Sequence, residues 1–223
     1  MNRLVEIFIL KKYEVISFDI FDTLLERTVT LPSDTFEIVG KRTGTDPQKF
    51  RENRCRAEAR ARQKANNGEV DLDRIYEELA IDYVDSVEQL KRAEIDVELE
   101  ICRPKISVVK FYNQCVDADK RIILISDMYL SSKQITAMLE KCGINVYEGL
   151  YVSNDYGVNK VNGQLYDLVL QEKCIEPSKM IHIGDGIKPD YMGAKKAGVS
   201  SHLIFKSGII KRCYKKAKRK LER

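Results

Sequence analysis

The chain has 223 residues, of which 43% are hydrophobic and 32% are charged, and this balance is typical of a globular chain that buries a core in water. No apolar run approaches the ~20 residues that a membrane-spanning helix needs. The apolar start at residues 1–10 ends at Lys11-Lys12 without a small-residue cleavage site, so we do not expect a secretory signal.

Cysteine and histidine are few and lack metal-binding spacing. The six cysteines contain no CxxC pair, and the chain has two histidines. A chain of this length does not need a disulfide framework, and scattered thiols do not predict a structural zinc site. We therefore expect a reduced, cytoplasmic protein.

The net charge of +4 is concentrated at the C-terminus. Residues 206–223 hold nine basic residues and one acidic residue, a net charge of +8, which leaves −4 for the preceding 205 residues. Apolar residues recur in this tail at roughly helical spacing. An ordinary helix that packs on the core is the favoured interpretation; contact with an anionic membrane surface, docking on a partner or a linker to further chain are the alternatives. We predict no nucleic-acid binding, because the tail has no aromatic platform or known motif.

The first predicted element is a buried strand over residues 13–18 that ends at Asp19. From Pro32 to about Cys102 the charge density rises, strand-like runs are absent and helix formers dominate. Helices are predicted to begin at Ser33 or Asp34, at Pro47, at Asp71 and at Asp85, the last with Glu88 at capping-box spacing. These signals predict an all-helical insertion over residues 31–102.

After Pro104, helices alternate with short β-branched strands. Strands are predicted over residues 121–125, 150–152, 180–183 and 201–205, and helices up to residue 116 and over residues 131–143, 165–172 and 189–197. The alternation predicts an α/β fold with a doubly wound parallel sheet, built from residues 1–30 and 103–205 and followed by the tail at residues 206–223. Ligands bind such sheets beyond the carboxyl ends of the strands.

Polar residues stand where three of these strands end. Asp19, Ser126 and Asp185 each follow an apolar run, so we expect them to meet at one edge of the sheet. Lys160 and Asp190 complete a series of carboxylate, hydroxyl, lysine and acidic pair. A carboxylate can attack phosphorus and form an acyl phosphate that water hydrolyses. Each residue alone also has an ordinary structural interpretation. Asp19 is as typical of a turn as of a site, Ser126 and Asp190 are typical of helix caps, and a lone loop lysine such as Lys160 is nearly always exposed to solvent. The functional interpretation therefore depends on their order.

This order resembles the haloacid dehalogenase (HAD) superfamily over most of the chain. The matching segments are SFDIFDTL at residues 17–24, ILISD at residues 123–127, Lys160, and Gly184-Asp185 with Asp190. The resemblance implies a HAD-like Rossmannoid core and an inserted type 1 cap. It also implies that Asp19 is a covalent nucleophile and that Ser126 and Lys160 hold a phosphoryl group. Thr23 and Asp127 are predicted to help bind the substrate, although Asp127 is equally typical of a local cap.

The resemblance further implies a Mg²⁺ cofactor. Its predicted ligands are Asp19, the backbone carbonyl of Phe21, and the pair Asp185 and Asp190, of which one binds directly and the other through water or by holding the first. Mg²⁺ prefers oxygen ligands and keeps several waters, so few carboxylates are needed. His182 lies inside a predicted strand, and we expect it to be a core residue rather than a ligand.

The first motif departs from the pattern of the family phosphatases. Most of them have a second aspartate two residues after the nucleophile, where it protonates the leaving oxygen; here Phe21 stands at that position, and Asp22 follows it. Positioned proton transfer typically contributes about 10²–10⁴-fold. The dehalogenase branch also has an aromatic residue there, because halide needs no proton.

The insertion suggests where the substrate is selected. Caps close over HAD sites, and Arg27, Arg54 and Arg60 are candidate phosphate contacts, although any single arginine on such helices is more often exposed to solvent. The segments SFDIFDTLLERTV, AEARAR, DLDRIYEEL, EIDVELEICRP and ISDMYLSS resemble a HAD subgroup associated with bacterial capsule and polysaccharide gene clusters, often beside glycosyltransferases. That resemblance implies a phosphorylated sugar or glycan intermediate as substrate.

Three functions are therefore carried forward. The favoured one is a Mg²⁺-dependent phosphatase that acts through an aspartyl-phosphate. The second is a metal-independent hydrolase of carbon–halogen bonds. The third is a non-catalytic module that binds a glycosyltransferase partner.

Overall fold

The structure is a computed structural model that describes residues 2–65, 67–84 and 86–204, together with Cys213, Ala217 and Arg219. It divides into two compact units: Met1–Glu26 with Pro104–Phe205, and Arg27–Arg103 with Lys206–Arg223. The insertion predicted over residues 31–102 lies inside the second unit. Apart from those three residues, the tail predicted at residues 206–223 lies outside the described residues, and so does Asp85 of the predicted capping box.

The helices and strands are, in chain order, α1 (Arg3–Lys12), β1 (Val15–Phe18), β2 (Leu25–Arg27), α2 (Asp34–Thr43), α3 (Pro47–Lys64), α4 (Leu72–Leu79), α5 (Val87–Ile101), β3 (Cys102–Pro104), α6 (Ile106–Asp117), β4 (Arg121–Ser126), α7 (Ser132–Lys141), β5 (Gly149–Val152), α8 (Ser153–Tyr156), α9 (Gln164–Glu172), β6 (Met180–Gly184), α10 (Ala194–Lys196) and β7 (Ser200–Leu203). A 3₁₀ turn (Pro177–Lys179) precedes β6, and a π-helical turn (Ile187–Gly193) follows it.

The first unit is built on a five-stranded sheet in the order β5-β4-β1-β6-β7. Every neighbouring pair is parallel, and the central β1 lies between β4 and β6 with all four of its residues buried. Strands with both faces covered read as continuous apolar runs, which is why β1, β4 and β6 could be recognised in the sequence. The predicted α/β fold with a parallel sheet and flanking helices is confirmed.

Three features of the fold were not predicted. The apolar start forms α1, which Asn2 caps by accepting a hydrogen bond from the backbone N–H of Leu4. Strands β2 and β3 form a two-stranded sheet where the chain passes between the two units. The helix predicted over residues 189–197 is instead the π-helical turn followed by the short α10, and such wide turns occur often at functional sites.

Between Arg27 and Cys102, every regular element of the second unit that the structure describes is a helix. Helix α3 packs against α2 and α4, and α5 packs against α2. The start signals hold locally: Pro47 stands in the first turn of α3, and the side chains of Asp46 and Asp71 cap α3 and α4. Arg219 also belongs to this unit, where it bonds Ser33, Asp34 and Glu37 at the start of α2. Among the described residues, no helix combines the length and apolar character needed to span a membrane.

Candidate active site

The predicted site residues meet at the carboxyl edge of the sheet in the first unit. Asp19 follows β1, Ser126 is the last residue of β4, and Asp185 follows β6. The parallel register aligns the ends of these strands, because Phe18 lies opposite Leu124 on one side and Ile183 on the other. The structure therefore brings together side chains that are more than 50 residues apart in sequence.

Lys160 is the centre of this cluster. Its ammonium group lies 2.6 Å from Asp19 Oδ1 and 2.6 Å from Asp190 Oδ1, and all three side chains are buried. Asp127 holds the loop in place by accepting the backbone N–H of Lys160 at 3.0 Å. The side chain of Asp127 thus organises the lysine loop, and its predicted contact with a substrate stays a prediction.

Two glycines make room for this arrangement. A Cβ added at Gly184 would lie 2.4 Å from Asp190 Cγ, so only glycine lets that carboxylate approach the end of β6. A Cβ added at Gly193 would lie 1.9 Å from the carbonyl oxygen of Lys160, so the π-helical turn approaches the lysine loop backbone to backbone. Both glycines are therefore required by the geometry of the site.

Each carboxylate in contact with Lys160 has further donors. Thr23 Oγ1 donates to Asp19 Oδ2 at 2.8 Å. Asp190 Oδ2 accepts the backbone N–H of Gly186 at 2.7 Å, and His182 Nε2 lies 3.3 Å from Asp190 Oδ1. These donors fix the orientation of both carboxylates. Thr23 therefore contacts the proposed nucleophile, Asp19, and its predicted contact with a substrate stays a prediction.

The pKa values of Asp19 and Asp190 are shifted in opposite directions. Burial raises the pKa of Asp19 to about 7; Lys160 opposes this rise, and Asp190 adds to it. Burial would also raise the pKa of Asp190, but Lys160 and His182 together lower that pKa below its ordinary value. Burial opposes the charge of Lys160, yet Asp19 and Asp190 raise its pKa well above the ordinary value. Lys160 is therefore a cation shared by an ionised Asp190 and by an Asp19 whose ionisation is opposed by burial.

The acidic residues fit a divalent cation. One ligand oxygen from each of Asp19, Asp185 and Asp190 lies within 4.8 Å of the others. Hard cations such as Mg²⁺ take carboxylate oxygens at about 2.0–2.1 Å, so oxygens this close can face one ion. The carboxylates of Asp19, Asp185 and Asp190 are the residues that could hold it, and the predicted ligation by the Phe21 carbonyl stays a prediction.

The loop after β1 is held in an unusual conformation. Asp22 has φ +63°, a left-handed backbone that residues other than glycine rarely adopt. The buried Lys105 donates from Nζ to the Asp22 carbonyl at 2.7 Å and from its backbone N–H to the Leu24 carbonyl. This contact, which the sequence analysis missed, fixes the turn that presents the half-buried Phe21.

Ser17 and Tyr166, which lie behind the acidic cluster on either side of His182, were also missed. Ser17 Oγ lies 2.9 Å from His182 Nδ1, and the Tyr166 ring meets the His182 ring edge-on at 5.0 Å. Burial lowers the pKa of His182, and burial raises the pKa of Tyr166 well above its ordinary value. His182 is a fully buried core residue, as expected, but it also contacts Asp190. The signal that could have found the pair is a polar residue inside each of two apolar strand runs, because buried polar groups need partners.

The arginines proposed as phosphate contacts lie in the second unit, where each meets a carboxylate. Arg27 Nε bonds Glu98 at 2.7 Å, Arg54 holds Glu94 through two nitrogens at 2.7 Å, and Arg60 bonds Glu78. The Arg54 side chain is fully buried. Substrate binding by Arg27 stays a prediction.

Comparisons with known proteins agree with this geometry. The family model described as haloacid dehalogenase-like hydrolase matches residues 13–198. A search of curated proteins found no match.

Solved structures similar to this chain include enzymes of two kinds. One is a HAD hydrolase, YfnB, from Bacillus subtilis bound to magnesium, with a TM-score of 0.64 and 14% identity over 86% of this chain and 89% of the other. A second is a HAD phosphatase from Thermococcus onnurineus, with a TM-score of 0.63 and 14% identity over 87% of each chain. A third is the L-2-haloacid dehalogenase from Xanthobacter autotrophicus with chloropropionic acid covalently bound. Its TM-score is 0.61, with 13% identity over 86% of this chain and 77% of the other. At these identities the likeness supports the fold alone.

Proposed function

Because the chain belongs to the haloacid dehalogenase-like hydrolase family, we propose that it is a Mg²⁺-dependent phosphatase that acts through a phosphorylated Asp19. The observation that carries this proposal is the cluster of three carboxylates whose oxygens lie within 4.8 Å, joined to a buried lysine. A carbon–halogen hydrolase needs a nucleophile and a lysine but no cation, so the full acidic set favours phosphoryl transfer.

The proposed first step is nucleophilic. A carboxylate oxygen of Asp19 attacks phosphorus, the bond from phosphorus to the leaving oxygen breaks, and that oxygen takes a proton from water or from the substrate. Lys160 offsets negative charge on Asp19 and would do so on the phosphoryl group. The hydroxyl of Ser126, the last residue of β4, would donate to a phosphoryl oxygen.

The proposed second step regenerates the free Asp19 carboxylate. Water attacks phosphorus, inorganic phosphate leaves, and Asp19 is again a carboxylate. A bound Mg²⁺ would supply charge that neutralises the phosphoryl group and would favour the ionised form of Asp19. Asp185 and Asp190 would hold it together with Asp19.

The finer proposal concerns the substrate. We propose that the substrate is a phosphorylated sugar or glycan intermediate of surface polysaccharide synthesis and that a glycosyltransferase is the partner. This rests on the sequence resemblance described above. Phe21 stands where an acid is expected, so the substrate would need a good leaving group or a proton of its own.

The test is phosphate release from a panel of sugar phosphates and one aryl phosphate, with Mg²⁺ and with EDTA. Mg²⁺-dependent release that is lost in Asp19→Asn, in a chain that stays folded, is the expected result. Full activity of Asp19→Asn would contradict the mechanism. No release from any substrate would favour the non-catalytic binding module.

A specific observation keeps a second function in view. Phe21 matches the aromatic residue of the dehalogenase branch, for which the buried pair of Asp19 and Lys160 would suffice. Halide release from 2-haloacids that is insensitive to EDTA would mark this function, and its absence beside Mg²⁺-dependent phosphate release would exclude it.

A further inference from the structure

A buried chain of polar groups leads from the middle of the sheet to the acidic cluster. Ser17 in β1 and His182 in β6 lie directly opposite each other in the parallel register, and neither is exposed. Ser17 Oγ lies 2.9 Å from His182 Nδ1, and His182 Nε2 lies 3.3 Å from Asp190 Oδ1. The imidazole thus joins a hydroxyl on one side to a carboxylate of the site on the other.

The two contacts of the ring favour one tautomer. The Ser17 hydroxyl has one proton, which it can give to Nδ1 at 2.9 Å or to the Ile181 carbonyl at 3.4 Å. If it gives the proton to Nδ1, then Nε2 carries the ring proton and donates to Asp190. In the other tautomer, the lone pair of Nε2 would face a carboxylate oxygen, which is repulsive. The first arrangement satisfies every atom of the chain.

The surroundings hold the ring in this plane. Tyr166 meets the ring edge-on at 76°, and the Tyr166 hydroxyl donates to the Pro189 carbonyl in the π-helical turn that carries Asp190. The groups that face His182 are therefore Ser17, Asp190, Lys160 beyond it and Tyr166.

We propose that His182 is a positioning residue of the site, which donates from Nε2 to Asp190 and is held in that tautomer by Ser17. The inference rests on the proposed metal-dependent function and deepens it. The Nε2–H donor, 3.3 Å from Asp190 Oδ1, and the Gly186 backbone N–H, 2.7 Å from Asp190 Oδ2, orient the carboxylate from both oxygens, so the acidic cluster keeps one geometry for a divalent cation. Partners that orient metal ligands in this way typically change metal affinity about 10–100-fold when they are removed.

The first test reads the tautomer and needs no substrate. The full chain has two histidines, so ¹⁵N-histidine labelling gives two sets of ring signals, and His202→Gln assigns them. We expect the metal-free protein to show His182 with Nε2 protonated and Nδ1 unprotonated. A protonated Nδ1 would overturn the inference.

The second test measures Mg²⁺ binding by calorimetry in the absence of substrate. His182→Leu removes the donor, and we expect Mg²⁺ affinity to fall about 10–100-fold. His182→Gln keeps an amide donor of similar reach and should stay within a few-fold of the wild type, as should the control His202→Gln. Equal affinity in wild type and a folded His182→Leu, or equal loss in the Leu and Gln variants, would overturn the inference.

Ser17→Ala covers the case in which His182→Leu does not fold. It leaves the ring in place, removes its hydroxyl donor, and should weaken Mg²⁺ binding in the same direction by a smaller factor. Affinity unchanged in Ser17→Ala contradicts the role given to Ser17. If the wild type binds Mg²⁺ but releases no phosphate, the proposed function is refuted and the inference about His182 stands. If the wild type binds no Mg²⁺, the proposed cofactor is refuted, and the tautomer measurement alone tests the inference.

Discussion

Asp19 is buried, and burial disfavours the ionised form of its carboxyl group. Burial raises its folded-state pKa from 3.8 to about 7, so its contribution to the stability of the metal-free protein is full below pH 4 and is lost as pH rises through 7. Asp19→Asn therefore removes this pH dependence together with the proposed nucleophile, and it leaves the buried Lys160 paired with Asp190.

The corresponding prediction concerns Asp19→Asn in EDTA. We expect the midpoint urea concentration of the variant, relative to that of the wild type, to be higher at pH 8 than at pH 5, because more of the wild-type Asp19 is ionised at pH 8. Asp117 is exposed, so Asp117→Asn is the control, and it should leave the urea midpoint unchanged at both pH values. A difference that shrinks as pH rises would contradict the assignment of the raised pKa.

Phe21 offers a second prediction at the scale of one side chain. Phe21→Asp puts a carboxyl group where the family phosphatases have their acid, and Phe21→Asn is the matched control that cannot donate a proton in the same way. Turnover of sugar phosphates should rise in the aspartate variant relative to turnover of the aryl phosphate, by at most about 10²–10⁴-fold. Steady-state rates on both substrates measure the ratio, and an equal ratio in the two variants would mean that no proton transfer was gained.

At the scale of elements, the π-helical turn and the lysine loop touch through their backbones. A Cβ at Gly193 would clash with the Lys160 carbonyl oxygen, so Gly193→Ala should push the loop away and misplace the ammonium group. A displacement of about 1 Å can cost about 10²-fold in rate. We expect kcat to fall by about that factor, with a loss of stability of about 1–3 kcal/mol from overpacking.

Gly143 is the matched control for that variant. Its φ is +74° and nothing lies within 4 Å of an added Cβ, so Gly143→Ala strains the backbone without displacing a neighbour. The strain should cost roughly 1–2 kcal/mol and leave kcat unchanged. If both variants lost kcat to the same degree, general destabilisation and not the lysine loop would be the cause.

The helical unit contains a buried ion pair whose energetics can be tested separately. Arg54 and Glu94 are both fully buried and bond through two nitrogens, and the Tyr76 hydroxyl also donates to Glu94. Glu94→Leu leaves Arg54 without its main partner and should destabilise this unit by about 3–5 kcal/mol, whereas Arg54→Met with Glu94→Leu should recover most of that loss. Hydrogen exchange of the amides in α3 and α5 reports the local stability, and a double variant as unstable as the single one would contradict the account.

At the scale of the whole molecule, the sequence predicts features that depend on neighbouring residues in the chain and misses contacts between distant segments. The central strands and the meeting of Asp19, Ser126 and Asp185 follow from apolar runs and from the rule that ligands bind at the carboxyl edge of a parallel sheet. The contact of Ser17 with His182 depends on the register between β1 and β6, which one sequence does not reveal. Arg54 was predicted to be a phosphate contact or an exposed charge, because periodicity shows where a helix is but not which carboxylate packs against it.

Charge is also distributed unevenly over the whole chain, and this leads to the last prediction. Residues 206–223 carry +8 and the rest −4. Near an anionic membrane each lysine or arginine contributes about 1 kcal/mol of attraction, within roughly one Debye length. The alternative in which the tail contacts an anionic membrane predicts that the full chain co-sediments at low salt with vesicles that contain anionic phospholipid, is released as salt is raised, and does not bind neutral vesicles. The favoured interpretation, a helix packed on the core, predicts that the chain stays in the supernatant.

A chain that ends at Phe205 separates this attraction from the chemistry. It should stay in the supernatant and keep whatever hydrolysis the full chain shows, because the predicted site residues lie between Asp19 and Asp190. Arg219→Ala is the control: it removes one charge and the bonds to Asp34 and Glu37, and it should weaken vesicle binding only slightly. Binding that persists without the tail would place the contact elsewhere, and α1 would be the first candidate, because its exposed Leu4 and Phe8 stand beside basic residues.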